Sequence, residues 1–126
     1  MSKIGILAAG ILALLALGAV AQQGKKPAAP IKDMMERTHK GRDNPASELR
    51  NGRGTPEDAK KLLAEYKAIA GFKPPLGDAK SWSSRTGAVI TALTDLIDKK
   101  PGAVDRLNSA TECRACHEAH RVGGNK

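Results

Sequence analysis

Two cysteines one helical turn apart, with a histidine directly after the second, constrain this chain more than any other feature: Cys113, Cys116 and His117. Together they spell C-x-x-C-H, the attachment signature of c-type haem. At that spacing each thiol can add to one of the two vinyl groups on the same porphyrin edge. The imidazole next in the chain is then held under the iron, where a ring nitrogen can bind it as an axial ligand. A chain that takes up such a group must wrap apolar segments around a flat, rigid plate.

The other end of the sequence agrees with that chemistry. Residues 1–21 have a short basic start at Lys3, an almost unbroken apolar run, and a small-x-small site at Ala19, Val20 and Ala21. These are the three regions of a cleaved secretory signal peptide. The competing reading is an uncleaved membrane anchor; the run lies at the lower edge of a spanning length. Cleavage leaves residues 22–126, exported to the periplasm or otherwise outside the cytoplasm and free of the membrane. Covalent haem attachment takes place outside the cytoplasm in bacteria, so the leader and the cysteines support each other. The same compartment also permits a disulfide. Residues 22–30 are polar, Pro-containing and aperiodic, and are expected to be a flexible linker. The chain has 21 basic and 13 acidic residues, a formal +8, which points to acidic protein partners or simply to solubility. With only Tyr66, Phe72 and Trp82 as aromatics, no basic run is interleaved with rings, so nucleic acid is not an expected partner.

The rest reads as helices. Residues 30–40 carry Ile31, Met35 and Thr38 or His39 on one face, with Gly41 as the stop. Residues 42–55 are rich in Gly, Asn and Pro and predict a loop, with a helical turn at 45–50. The next helix starts with Thr55 as cap, Pro56 in the first position, and Glu57 and Asp58 where the helix dipole favours acid. Its buried stripe is Ala59, Leu62, Leu63, Tyr66, Ile69 and Ala70, and Gly71 ends it. Pro74 and Pro75 prevent the helix from resuming over residues 72–77. Asp78 caps a third helix to about residue 99, with Trp82, Thr86, Val89, Ile90, Leu93, Leu96 and Ile97 inward. A fourth, continuous helix is predicted over residues 103–121. Val104, Leu107, Ala110, Cys113, His117 and His120 lie on one side of it. Residues 31–122 thus form one helical haem-binding domain, and residues 123–126 a tail. No strand-type alternation occurs, so the fold class is all-α, with short connections that predict an antiparallel four-helix bundle. A core this poor in aromatics would gain volume from a buried porphyrin.

The cysteines admit other readings. A thioredoxin-like redox pair sits at the start of a helix preceded by a strand, and no strand precedes this one. A zinc site built from Cys113, Cys116, His117 and His120 would crowd four ligands into one short segment, where structural zinc sites usually draw on two separated pairs. A disulfide between two positions a turn apart on a helix strains its geometry.

With C-x-x-C-H in the last helix, behind a leader and three earlier helices, the chain resembles the class II c-type cytochromes, the cytochrome c-prime group. There a basic residue stands four places after the histidine of the motif; Arg121 holds that position here. The resemblance implies thioethers at Cys113 and Cys116, His117 as proximal ligand, Arg121 near the haem edge, one covalent haem c, and a chain that can form a homodimer. The first helix is shorter, and the loop after it longer, than in that group. On the distal side the candidates are Met35 and His39, one turn apart on the first helix, with Met34 behind them. An open or solvent-bound iron is the further alternative. A methionine or histidine ligand suits one-electron transfer with redox partner proteins, whereas an open site suits a small gas such as nitric oxide. Glu118 is expected to be an ordinary solvated carboxylate and His120 to lie at the surface or beside a haem propionate. No nucleophile–base constellation occurs elsewhere, so the chain reads as a carrier and not an enzyme.

Overall fold

A computed structural model describes residues 28–122. The expected leader, the expected tail and most of the expected linker lie outside the described residues. The described chain is all-α: α1 (Ala28–Thr38), α2 (Pro45–Arg50), α3 (Pro56–Ala70), α4 (Ala79–Ile97), α5 (Ala103–Ala110) and α6 (Cys113–His120), with no strand among these residues. None of these helices is long and apolar enough to cross a membrane.

Three helices, α2, α3 and α4, start where a side chain can satisfy a free N–H group. At α3, Thr55 Oγ1 accepts from the Asp58 N–H at 3.1 Å, and the Asp58 carboxylate accepts from the Thr55 N–H at 3.0 Å, a reciprocal capping box. At α4, Asp78 accepts from the Ser81 N–H at 2.7 Å, and at α2, Asn44 accepts from the Ser47 N–H at 2.7 Å. The turn expected at 45–50 is therefore a capped helix, and it buries Ala46 and Leu49.

The core lies between α3 and α4. Leu62, Ile69 and Leu93 are fully buried there, joined by Leu107 of α5, Leu49 of α2 and Met34 of α1. The Trp82 indole N–H donates to the Ile69 carbonyl at 3.1 Å, tying the start of α4 to the end of α3. Ala59 near the start of α3 and Leu96 near the end of α4 line a common small cavity. The two helices therefore run antiparallel. α1 packs on α3 through the paired Arg37–Glu65 contacts, at 2.9 and 3.2 Å. α2 joins α5 where Asn108 donates to the Arg50 carbonyl at 2.9 Å.

The fourth helix is not continuous as expected. It breaks at Thr111 and Glu112, where Glu112 takes extended backbone angles (φ −68°, ψ 107°). The Thr111 hydroxyl donates to the Leu107 carbonyl at 2.6 Å, as Thr86 and Thr94 do to carbonyls within the unbroken α4. Asn108, Ser109 and Thr111, all weak helix formers, make the break inexpensive.

The turn between α4 and α5 holds two features that test the packing. Lys99 has φ +57°, a left-handed conformation costly for a residue with a Cβ. Lys99→Gly is expected to raise unfolding free energy by about 0.5–1 kcal/mol in chemical denaturation. Asp95 accepts from Lys100 at 3.2 Å and from Arg106 at 3.1 Å, and these contacts, Lys100 first, hold its carboxyl below the usual value. A carboxyl depressed in the folded state stabilises above its unfolded pKa and loses that contribution as pH falls through the folded one. Asp95→Asn should therefore lower the melting temperature at pH 7, and the gap should narrow as pH drops below about 4.

Candidate functional site

A cavity of about 640 Å³ opens between α1, α3, α4 and α6. Its walls are mostly apolar: Ile31 and Met35 from α1, Ile69 from α3, Trp82 and Val89 from α4, and Ala110 at the end of α5. Cys113, Cys116 and His117 all line it from α6. Cys113 is exposed and Cys116 half-buried, and both are free thiols. Burial pushes the Cys116 thiol up, while the nearby Arg85 cation acts in the opposite direction. His117, also half-buried, is held below the usual histidine value by burial and then by Arg121. It is therefore neutral at pH 7, with a lone pair to offer a metal. Arg121 is exposed at the rim of the same cavity.

On the α1 side the three candidate ligands separate. Met34 is wholly buried in the core and does not line the cavity. Its sulfur accepts from the Thr38 hydroxyl at 3.3 Å. His39 reaches the cavity, but its Nε2 lies 2.8 Å from the Tyr66 hydroxyl, so in either tautomer that nitrogen is committed. Burial, then the Arg50 cation and the His117 ring, push its pKa down to about 4. Tyr66 is itself buried, and burial raises its phenol well above the ordinary value. Met35, half-buried, lines the cavity with its thioether outside any hydrogen bond among the described residues.

His120, expected at the surface or beside a propionate, is not at the surface, although it lines the same cavity. It is 3 % exposed, with Nδ1 2.8 Å from the Leu76 carbonyl and Nε2 3.0 Å from Ser81 Oγ. The ring lies edge-on to Trp82 with centroids 5.3 Å apart. The carbonyl is an acceptor only, so Nδ1 carries the proton and donates to it, and Nε2 accepts from the serine. The Leu76 N–H in turn approaches the His120 carbonyl at 3.4 Å. These bonds seat the end of α6 against the loop between α3 and α4. With both nitrogens engaged, His120 is not gathered with the cysteines into the four-ligand set considered for zinc. Among the described residues no three His, Cys, Asp or Glu side chains come together as a metal site. Glu118 is exposed, as expected, 3.5 Å from Arg114 on the same helix.

One residue of the site was not anticipated. Arg85, from α4, lines the cavity, and its Nε is buried without any hydrogen-bond partner. A signal existed, because Arg85 falls three residues after Trp82 and four before Val89. It is thus a single charge within an apolar helical stripe.

No protein-family model, curated protein or solved structure matches this chain. The residues of the cavity themselves carry the functional reading.

The loop that receives His120 has room for no side chain at Gly77. Its φ is +84°, and a Cβ there would meet His120 Nδ1 at 2.5 Å and the Ala119 carbonyl oxygen at 2.6 Å. Gly77→Ala is expected to cost about 2–4 kcal/mol, combining left-handed strain with overpacking. Gly52→Ala, at φ +72° with nothing nearby, should cost about 1 kcal/mol. Hydrogen exchange should show α6 as the segment loosened by the first change and untouched by the second.

Proposed function

We propose that this chain is an exported monohaem c-type cytochrome that carries one electron at a time between redox partners. The observation that carries the reading is the position of Cys113, Cys116 and His117. All three stand on one short helix and face a mostly apolar cavity whose volume falls within the roughly 300–1,000 Å³ of cofactor sites. Free thiols a turn apart, a neutral imidazole beside them and an unpaired guanidinium nitrogen in the wall form a donor set that suits a porphyrin bearing carboxylates. A c-type haem, when bound, supplies the one-electron iron couple; the protein supplies attachment, ligation, shielding from water and tuning of potential.

In this reading Cys113 and Cys116 form the thioethers and His117 is the proximal ligand. Met35 is the distal ligand, because Met34 is sealed in the core and His39 is held by Tyr66. A methionine thioether raises the potential relative to a second histidine. Arg121, at the rim, stands near the exposed edge of the group, and the +8 formal charge favours acidic docking partners. α1, α3, α4 and the broken α5–α6 pair would be the four members of an antiparallel bundle of the cytochrome c-prime type. The antiparallel α3–α4 pair supports that architecture, and the apolar leader at residues 1–21 supports an extracytoplasmic place of work.

The test is spectroscopic. Protein exported from a host able to mature c-type cytochromes should keep its Soret band through acid-acetone extraction, and its reduced spectrum should be six-coordinate and low-spin. Met35→Ala should turn the ferrous iron high-spin, and His39→Ala should leave it low-spin. A high-spin wild-type ferrous spectrum that shifts with carbon monoxide would replace the carrier with a gas-binding protein. Colourless protein with both thiols open to alkylation would end the haem reading altogether, and zinc in such a preparation would favour a structural metal module.

A further inference from the structure

The buried polar side chains in the wall of the cavity are mostly satisfied within the protein. The Trp82 indole donates to the Ile69 carbonyl at 3.1 Å and the Thr86 hydroxyl to the Trp82 carbonyl at 2.8 Å. His39 and Tyr66 satisfy each other at 2.8 Å, and Thr111 donates to the Leu107 carbonyl at 2.6 Å. Among the described residues one buried side-chain nitrogen stands apart, Nε of Arg85, which has no acceptor. Arg85 also joins no ion pair among these residues, although two glutamates, Glu36 and Glu112, line the same cavity. Both glutamates are exposed and remain with solvent.

A guanidinium is always charged and cannot relieve its burial by losing a proton. The Arg85 side chain is half-buried, but its Nε is wholly shut off from solvent without an acceptor; a donor left so is costly and signals a partner missing from the protein part alone. The partner must be an anion that enters a mostly apolar cavity, and a carboxylate matches the planar fork of a guanidinium. Arg85 and Cys116 line the same cavity, so the anion belongs to a molecule held in the space that the cysteines face.

We propose that Arg85 binds a carboxylate of the prosthetic group attached at Cys113 and Cys116, a propionate of the haem, and by doing so raises the reduction potential of the iron. This rests on the haem reading above. The reason is electrostatic. A fixed positive charge near the metal, paired with an anionic substituent, offsets the field of that anion. Removing the cation favours the ferric form, which carries one more positive charge than the ferrous form. Arg85 is a positioning and tuning residue, with no part in ligating the metal.

The experiment compares the haem-loaded wild type with Arg85→Lys and Arg85→Met by potentiometric titration and resonance Raman spectroscopy. Arg85→Met, of similar length and apolar, should shift the one-electron equilibrium toward ferric by about tenfold, a fall of ~59 mV. It should also move the propionate-bending band. Arg85→Lys, which keeps the charge without the fork, should recover most of the potential while the bending band stays displaced. A purely structural role would lower the melting temperature of Arg85→Met and leave potential and band where they were, and that result would overturn the assignment while the haem reading stood. A wild-type chain that emerges without covalent haem would overturn both. The two failures are distinguishable by colour before any variant is measured.

Discussion

An isolated helix of eight residues is not stable in water, because the cost of nucleation is not recovered over two turns. α6 (Cys113–His120) is such a helix, so it depends on its attachment to the rest of the fold. That attachment is His120. Its two ring nitrogens bond the Leu76 carbonyl and the Ser81 hydroxyl, at 2.8 and 3.0 Å, and its ring rests against Trp82. Trp82 in turn bonds the end of α3. A continuous chain of contacts therefore runs from the antiparallel α3–α4 pair to the segment that bears both cysteines.

The polar groups of the cavity divide sharply by how they are satisfied. His39 and Tyr66 are closed on each other, which keeps α1 against α3 and removes the imidazole from contest for a ligand. Thr86 and Thr111 are closed on their own helices. These internal bonds leave the wall behaving as apolar surface toward any group that fills it. Besides the exposed charged side chains Lys32, Glu36, Lys40, Glu112 and Arg121, two kinds of group in the wall remain available: soft sulfur and neutral imidazole from Met35, Cys113, Cys116 and His117, and one half-buried cation, Arg85. Soft donors with a guanidinium form a set suited to a metal-bearing, carboxylate-bearing plate, and the proposed haem is the occupant that uses all of them.

Much of the helical framework is legible in short stretches of sequence. Thr55, Pro56 and Asp58 announce the start of α3, and Asp78 that of α4. The stripes Ala59, Leu62, Tyr66, Ile69 and Trp82, Thr86, Val89, Leu93 are buried as their spacing predicts. Local rules fail where two signals compete. The periodicity through Leu107, Ala110, Cys113 and His117 runs unbroken, yet the chain leaves helical geometry at Thr111 and Glu112, after a run of weak helix formers that hydrophobic spacing does not register. Met34 and Met35 differ by about 100° around the helix axis, and the sequence alone does not say which of them meets the core and which the cavity.

The helices, their caps and the C-x-x-C-H triplet belong to the sequence itself, because each arises from interactions within a few residues. The burial of His120, the withdrawal of Met34 and the unpaired state of Arg85 belong to the tertiary structure. His120 meets Leu76 across 44 positions, and His39 meets Tyr66 across 27. Contacts at such separation depend on how finished helices dock, and docking is governed by the fit of whole faces, which periodicity identifies but does not pair.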